Sequence, residues 1–300
     1  GAVHAADGYA RACGKVGVCL ATSGPGATNT VTGIATAYSD SIPMVIFTGQ
    51  VSTPLIGNDA FQEVDIIGIT RPCTKHNFLV KDVKDLAETV RKAFYLARSG
   101  RPGPVLVDIP KNIQQASCEF VWPEDVVMRS YCPTFRANLN QLRRAMDVLV
   151  TSRKPLIVAG GGVIMANAAE ELCTLAHLMH APVCSTLMGL GAFPGDDPLW
   201  IGMLGMHGTF AANRAVTQAD VILAVGARFD DRVTGKLSQF APNARIVHID
   251  IDPTTLRKNV RVEVPVVSDA LSALQGLRSI LESGHAQKDW AGDHADWMGQ

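Results

Sequence analysis

Charged residues of both signs are crowded into one segment of the chain, Gly226 to Gly235, where Arg228 and Arg232 flank two aspartates. An arginine guanidinium offers a rigid fork of donors that matches a carboxylate or a phosphate. The segment follows the apolar run Val221 to Val225, which indicates a position at the carboxyl end of a parallel strand, where α/β sheets bind ligands. The pattern favours an anion site, with a solvated ion-pair cluster as the alternative.

Glycine-rich turns follow two other apolar runs. Gly24-Pro25-Gly26 comes after Val16 to Ala21, and Gly160 to Gly162 comes after Leu156 to Ala159. Glycine lets a ligand approach the backbone closely, and a helix that starts there offers unpaired N–H groups. The first turn lacks the third glycine of a dinucleotide fingerprint and is compatible with an ordinary turn. The three consecutive glycines favour a ligand that lies against bare backbone.

Acidic residues end a further apolar run, Ile246 to Ile251, in the sequence Asp250-Ile251-Asp252. An acid at the end of a parallel strand can accept hydrogen bonds from ribose hydroxyls. A helix-capping or turn role for either aspartate is the alternative.

These groups need a parallel sheet to position them, and the chain alternates strand-length apolar runs with helical periodicity, which is typical of an α/β fold. The segment Gln114 to Arg136 breaks the alternation with prolines and mixed polar residues, so we interpret it as a linker between two domains. Helices are predicted at Lys84–Ala97, Asn138–Val150, Ala168–Met179 and Ala270–Ser283. Strands are predicted at Val16–Ala21, Pro43–Thr48, Pro104–Ile109, Pro155–Ala159, Pro182–Thr186, Val221–Val225 and Ile246–Ile251.

Composition narrows the classes of protein that remain. A length of 300 residues exceeds the roughly 150 of one typical domain, and 47% hydrophobic with 18% charged residues suits buried globular domains. A net charge of −1 without basic runs argues against nucleic acid as a partner, and the apolar runs are too short to span a membrane. The 7 scattered cysteines contain no CxxC pair, which argues against disulfides and a zinc site and favours a reducing cytoplasm.

Six segments, in order along almost the whole chain, resemble the large catalytic subunit of acetolactate synthase (acetohydroxyacid synthase), a thiamine-diphosphate enzyme. The first three have looser counterparts in other such enzymes, whereas the last two are much narrower. The segments are SGPGATN (Ser23–Asn29), TGQV (Thr48–Val51), DAFQEVD (Asp59–Asp65), GRPGPVLVDIPK (Gly100–Lys111), LGMHG (Leu204–Gly208) and GARFDDRVTGK (Gly226–Lys236).

The resemblance implies two parallel-sheet α/β domains. Residues 1–115 would form a truncated thiamine-diphosphate pyrimidine-side domain, 116–135 a linker, 136–284 a Rossmann-like FAD-binding domain, and 285–300 the start of a linker to a further domain. The family's activating glutamate would precede Gly1, and its GDG-led motif for the diphosphate and Mg²⁺ does not occur in this sequence. We therefore expect no metal ligands here, a fragment of a longer polypeptide, and no activity from the fragment alone.

The resemblance also assigns roles by matching positions. The pyrimidine end of thiamine diphosphate would be held by Thr22, Pro25, Asn29 and Gln62, with Phe61, Gln62 and Lys111 near the reacting carbons. Arg232 would recognise the carboxylate of the second substrate. FAD would contact Arg101, Gly160, Gly161, Gly162, Thr186, Leu187, Met188, Leu204, Gly205, Met206, His207, Gly208, Arg228, Asp230, Val233, Asp250, Ile251, Asp269 and Ala270. The other histidines considered are expected to have surface or packing roles: His76, His177, His180 and His248.

The implied activity joins pyruvate-derived hydroxyethyl-thiamine diphosphate to a second 2-oxo acid. The product would be 2-acetolactate from pyruvate or 2-aceto-2-hydroxybutyrate from 2-oxobutyrate, in branched-chain amino-acid biosynthesis, with FAD structural and not an electron carrier. The family implies a homodimer or tetramer with a small regulatory subunit. Two alternatives stay open: another flavin-bearing thiamine enzyme (pyruvate oxidase or glyoxylate carboligase), and a non-catalytic nucleotide-binding or regulatory module.

Overall fold

The computed structural model describes residues 1–284 and 288–298. The chain divides into two compact units, Gly1–Cys132 and Pro133–Gln300. Each unit is built on its own sheet, and every strand pairing in both sheets is parallel. The α/β class with parallel sheets is therefore confirmed.

The first unit has a four-stranded sheet in the order β1-β2-β4-β3. Its central strands are apolar because neighbours cover both edges and helices cover the faces; Val45, Val105 and Val107 pack against the helix Leu86–Arg98. The strands are β1 (Gly17–Ala21), β2 (Met44–Gln50), β3 (His76–Leu79) and β4 (Pro104–Pro110). The helices are α1 (Ala2–Cys13), α2 (Pro25–Thr28), α3 (Val31–Asp40), α4 (Ile66–Thr70), α5 (Leu86–Arg98) and α6 (Lys111–Gln115).

The second unit has a six-stranded sheet in the order β10-β9-β8-β5-β6-β7. The chain runs outward in both directions from the central β5/β8 pair, which is a doubly wound topology. The strands are β5 (Pro155–Ala159), β6 (Val183–Ser185), β7 (Trp200–Met203), β8 (Val221–Val225), β9 (Arg245–Asp250) and β10 (Val264–Val267). The helices are α7 (Leu139–Val150), α8 (Gly161–Met165), α9 (Ala169–Met179), α10 (Phe210–Gln218), α11 (Asp231–Thr234), α12 (Ala270–Glu282) and α13 (Trp290–Met298).

Alternate side chains of the second sheet fill two apolar cores. Ile157 and Leu223 face the core that holds α7, α9 and α12, whereas Leu156, Val158 and Ile222 face the core that holds α10. A strand buried on both faces must be apolar at every position, which explains the continuous runs in β5 and β8.

Three strands had no counterpart in the sequence prediction, and all three lie at sheet edges: β3, β7 and β10. An edge strand has a neighbour on one side only, so its sequence needs no unbroken apolar run. β3 begins with the polar pair His76 and Asn77, and β10 contains Pro265, which an edge strand tolerates.

The segment after α6 contains no helix or strand until α7. Its Tyr131 nevertheless packs against the core of the first unit, and the Lys75 ammonium donates to the Tyr131 hydroxyl over 2.8 Å. Within the described residues, no helix is both long and apolar enough to cross a membrane.

The predicted linker over 285–300 differs from the structure. Residues 285–287 and 299–300 lie outside the described part of the chain, and most of the rest forms α13. The reason is two apolar anchors, since Trp290 and Trp297 are buried and the Trp297 indole donates to the Pro155 carbonyl over 2.8 Å. Residues 290–298 therefore form a packed helix of the second unit.

Candidate functional site

The residues assigned to thiamine diphosphate lie at the carboxyl edge of the first sheet. Thr22, Pro25 and Asn29 follow β1, Gln62 lies in the long connection after β2, and Lys111 follows β4 directly. The strands are parallel, so these connections emerge on the same edge. The order of residues along the chain did not show that the connection after β2, which carries Gln62, returns to the turn after β1.

The glycine turn after β1 and Gln62 meet through a close backbone contact. Gly24 has φ +59°, in the left-handed region, and a Cβ built on it would lie 2.8 Å from the Gln62 carbonyl oxygen. Gln62 itself has φ +57° and is exposed. Both the backbone angle and the space therefore require glycine at position 24, and the contact holds Gln62 beside the turn.

A buried carboxyl network that the sequence analysis missed lies beneath this edge. Asp108, near the end of β4, is 1% exposed. One of its oxygens accepts from the Thr48 hydroxyl over 2.7 Å, and the other accepts from the Gln50 amide over 3.1 Å. The same Gln50 amide donates to the Val64 carbonyl over 2.8 Å. The network therefore joins β2 and β4 to the segment that carries Gln62.

Burial dominates the titration of that carboxyl. Removal from water raises the pKa of Asp108 to about 6, although the hydrogen bonds from Thr48 and Gln50 oppose the rise and the charge of Asp65 adds to it. The sequence signal was present, because Asp108 interrupts the apolar run of β4. A polar residue inside a buried strand predicts a partner on the neighbouring strand.

The loop before Gln62 is folded by Glu63. Its carboxylate accepts from the backbone N–H groups of Gly57 and Ala60, and these bonds lower the pKa of Glu63. The folded loop presents Phe61 to solvent with 88% of its surface exposed. An apolar ring displayed in this way suits contact with a ligand or another protein surface.

Arg101 lies elsewhere. It comes just before β4, at the amino end of the first sheet, and its Nε donates to the Ser41 hydroxyl over 2.8 Å. The structure therefore does not bring Arg101 together with the thiamine candidates, which lie at the opposite edge.

The carboxyl edge of the second sheet collects the other flavin candidates, because each of the six strands ends at one or more of them. The successive groups are Gly160–Gly162 after β5, Thr186–Met188 after β6, Leu204–Gly208 after β7, Arg228–Val233 after β8, Asp250–Ile251 at the end of β9, and Asp269–Ala270 after β10.

Close backbone packing gives a different reason for the three glycines than the one inferred from sequence. A Cβ on Gly160 would lie 2.0 Å from the Gly226 carbonyl oxygen, and one on Gly162 would lie 2.7 Å from the Gly226 Cα. The turns after β5 and β8 therefore touch each other where a ligand had been expected. Only Gly161 points toward a side chain, with its Cβ position 3.0 Å from the Cβ of Met188.

The loops after β7 and β8 are joined into one surface. The Met206 N–H donates to the Arg232 carbonyl over 2.8 Å, and Gly205, with φ +107°, lies against the same carbonyl. Asn213 on α10 brackets Gly205, accepting from its N–H over 2.9 Å and donating to its carbonyl over 3.0 Å. Sequence reasoning missed Asn213; its position eight residues after Gly205 carried no signal without the fold.

The arginine–aspartate cluster is loosely paired. Arg228 approaches Asp230 at 3.7 Å and Arg232 approaches Asp231 at 3.8 Å, while the side chain of Arg232 is 72% exposed. Exposed pairs at such distances contribute little to stability. The Asp230 carboxylate also caps α11 by accepting from the Val233 N–H over 3.1 Å. The cluster therefore presents the Arg232 guanidinium to solvent, and the cap made by Asp230 fixes the backbone of the loop.

A buried aromatic group supports this loop. Phe229 has φ +53° and is 2% exposed, and its ring meets the edges of Phe240 and His248. The His248 Nε2 bonds the Ala227 carbonyl over 2.8 Å, and burial lowers the pKa of His248 to about 4, so the ring is neutral at pH 7. A packing role for His248 fits these contacts.

Asp250 and Asp252 make the turn bonds that were the alternative to a ligand role. One Asp250 oxygen accepts from the Asp252 N–H over 2.8 Å, and Asp252 accepts from the Thr254 N–H over 2.9 Å. Asp269 caps α12 by accepting from the Leu271 N–H over 3.0 Å. These bonds fix the loops; each carboxylate can accept further bonds through its remaining lone pairs.

Two family models match the chain. The thiamine pyrophosphate enzyme, N-terminal TPP binding domain matches residues 1–69, and the thiamine pyrophosphate enzyme, central domain matches residues 142–277. These matches fall on the two units just described. The chain therefore belongs to the thiamine pyrophosphate enzymes.

Within that class, the curated relatives are acetolactate synthase large subunits. The chain is 52% identical over 303 residues to the acetolactate synthase isozyme 3 large subunit of Escherichia coli (strain K12), covering 100% of this chain and 52% of that protein. It is 50% identical to the large subunit of Buchnera aphidicola subsp. Schizaphis graminum, covering 99% and 53%. It is 51% identical to that of Corynebacterium glutamicum, covering 99% and 47%. The chain thus spans about half the length of these relatives.

Proposed function

We propose that this chain supplies two domains of an acetolactate synthase large subunit. The observation that carries the proposal is the identity of about half across the whole chain to proteins of that name. The reaction would join a two-carbon unit from pyruvate to a second 2-oxo acid, pyruvate or 2-oxobutyrate. Because the chain spans about half of its relatives, the activity is proposed for the full-length protein.

Thiamine diphosphate, when bound, supplies the nucleophilic carbon for this chemistry. The carboxyl edge of the first unit suits its pyrimidine end, since the Gly24 turn lies against the backbone and Cβ of Gln62 without an intervening side chain. We assign Thr22, Pro25, Asn29 and Gln62 to that contact. Gln62 offers both a donor and an acceptor, which the polar edge of a pyrimidine requires.

Phe61 and Lys111 are assigned to the reacting end of the site. Lys111 is exposed at the first residue of α6, and its ammonium would attract the carboxylate of an entering 2-oxo acid. Phe61 provides an exposed apolar surface in the neighbouring connection. Mg²⁺ is expected to bind with the diphosphate through residues other than those assigned here.

FAD is proposed for the carboxyl edge of the second unit. The doubly wound sheet reverses its strand order at the β5/β8 pair, which is where such sheets bind nucleotides. The donor chemistry fits: Arg228 can meet a pyrophosphate and Asp250 a ribose hydroxyl. Arg232, which is more exposed, is assigned to the carboxylate of the second 2-oxo acid. Arg101 is retained as a further FAD contact on the resemblance alone.

Product analysis tests the proposal. The full-length protein is purified, its spectrum is recorded for flavin, and it is given pyruvate, pyruvate with 2-oxobutyrate, or glyoxylate. We expect 2-acetolactate from the first and 2-aceto-2-hydroxybutyrate in addition from the second. Acetate from pyruvate would identify a pyruvate oxidase, and carboligation of glyoxylate alone would identify a glyoxylate carboligase. No thiamine-dependent product in any arm would favour a non-catalytic module.

The assembly is proposed on the names of the relatives, which are large subunits. We infer a homodimer or tetramer of this protein with a small regulatory subunit, acting in the cytoplasm. Co-expression with a candidate small subunit followed by size-exclusion chromatography tests the partner, and elution of the large subunit alone would contradict it.

A further inference from the structure

A thiol, an imidazole and a carboxylate converge at a place in the second unit that the proposed function does not use. Cys173 and His177 lie on α9, and Asp197 lies in the loop before β7. One ligand atom from each of the three residues lies within 4.8 Å of the others. The two helical residues are separated by four positions, so their side chains lie on the same face of the helix.

Asp197 is already oriented toward this point. One of its oxygens accepts from the Leu199 N–H over 2.9 Å, and the other lies 2.7 Å from the His177 Nε2. The side chain of Asp197 is 12% exposed, whereas that of His177 is 50% exposed. The carboxylate is therefore held from inside while the imidazole reaches solvent, which leaves a path by which an ion can enter.

The cluster lies at the amino ends of the strands, on the opposite side of the sheet from the flavin candidates. Asp197 precedes β7, and α9 leads into β6, so both elements meet the sheet at its amino end. The candidates for FAD in this unit all lie at carboxyl ends. The position separates the cluster from the proposed cofactor site.

We propose that Cys173, His177 and Asp197 form a binding site for a divalent ion of the Zn²⁺ type. Thiolate, imidazole and carboxylate are the three ligand classes that Zn²⁺ accepts, and three protein ligands leave a fourth position for water. On binding, the Cys173 thiol gives its proton to solvent and its sulfur bonds the metal. The thiolate and the carboxylate then balance the two charges of the ion.

The geometry needs only small side-chain movement. Bonds of about 2.0 to 2.3 Å at tetrahedral angles place ligand atoms about 3.3 to 3.7 Å apart. The His177–Asp197 separation of 2.7 Å must open slightly, and the thiol must stay within reach. An ion pair between His177 and Asp197 alone would not require a thiol beside it.

Cobalt and zinc binding to the full-length protein test the site. Thiamine diphosphate is omitted and Mg²⁺ is kept in excess, so that ions do not enter a catalytic metal site. Co²⁺ is added to detect a thiolate-to-metal charge-transfer band, and Zn²⁺ affinity is measured by competition with a chromophoric chelator. The variants are Cys173→Ser, His177→Gln and Asp197→Asn. Matched controls are Cys118→Ser, an exposed thiol, and His180→Asn, an exposed histidine whose φ of +42° asparagine tolerates.

We expect the cobalt band to vanish in Cys173→Ser and to persist in both controls. Zinc affinity should fall by about tenfold or more for each ligand removed, since even outer contacts to a metal cost that much. Circular dichroism of each variant checks folding, and a variant that loses the band while keeping its native spectrum supports the site. A parent protein without a thiolate band, or equal zinc affinity in ligand variants and controls, would overturn the proposal. Failure here would leave the carboligase assay unchanged, so the two proposals are separable.

Discussion

Substituting Asp108 by asparagine should remove a pH dependence of stability from the first unit. Folding moves the pKa of this carboxyl from 3.8 to about 6, so the folded protein binds its proton more tightly than the unfolded chain does. Stability from this group is therefore fully present below about pH 4 and is lost as the pH rises through about 6. A carboxylate held in an ion pair shows the opposite pH dependence, because its contribution to stability is lost as the pH falls.

The size of this pH-dependent contribution to stability follows from the two pKa values of Asp108. They differ by about 2 pH units, which corresponds to about 3 kcal/mol at 1.36 kcal/mol each. Asparagine does not titrate and so lacks this contribution, but it has one acceptor oxygen where Asp108 has two. One of the two donors, Thr48 or Gln50, therefore loses its acceptor, and an unsatisfied buried donor costs about 1 to 3 kcal/mol. Asp108→Asn should therefore be clearly less stable than the parent at pH 4.5 and close to it, or more stable, at pH 7.5.

Hydrogen exchange of the peptides that cover β2 and β4 measures this difference, after correction for the intrinsic pH dependence of amide exchange. Unfolding of a two-unit chain is not a single transition, so a local probe is needed. Asp125→Asn, which changes an exposed carboxylate of the same unit, is the control and should follow the parent at every pH. A constant difference between Asp108→Asn and the parent from pH 4.5 to 7.5 would refute the reasoning.

Three further perturbations address the second unit. Burial depresses the pKa of His248, so the parent should lose up to about 3 kcal/mol of stability as pH falls from 6.5 toward 4, and His248→Asn should remove this loss. Hydrogen exchange of the β8 and β9 peptides would measure it. An unchanged acid sensitivity in the variant would contradict the prediction. Arg232→Lys should reduce discrimination between 2-oxobutyrate and pyruvate by about tenfold in a competition assay, since lysine keeps the charge and loses the bidentate fork. The exposed Arg214→Lys is its control, and an unchanged product ratio would remove Arg232 from the site. Gly161→Leu should leave the purified protein with little flavin absorbance, because the new side chain must displace Met188 or enter ligand space. Gly195→Leu, where a Cβ meets nothing within 4 Å, should keep its flavin, and equal absorbance in the two would count against FAD at this edge.

The central strands were predictable because burial on both faces leaves a continuous apolar run. β5 and β8 were predicted with their observed bounds. The edge strands β3, β7 and β10 were not, because solvent on one side permits polar residues and proline. Helix α13 escaped prediction because two buried tryptophans, and not a long apolar stripe, anchor it.

The sequence was sufficient to place much of the candidate site at strand ends, but it did not show which residues contact one another. The apolar run before Gly226 predicted that this residue follows a strand. Its close contact with Gly160 was not predictable, because the contact requires β5 and β8 to be neighbours in the sheet. Asp108 interrupts an apolar run and so signals a partner, but the sequence does not identify Thr48 and Gln50 as that partner, and Asn213 carries no signal at all. The grouping of Cys173, His177 and Asp197 likewise depends on a loop that folds back onto α9.

The contact between the turns of Gly160 and Gly226 fixes the distance between the loops after β5 and β8 at the centre of the second sheet. The limiting surfaces there are main chain on both sides, so no change of rotamer can widen or narrow the gap. A methyl group on either glycine would push β5 and β8 apart before it altered any ligand contact. Variation in what this end of the sheet binds must therefore come from residues beyond the two glycines, such as Arg228 and Arg232 further along the loop after β8, and from the loops after β6, β7, β9 and β10.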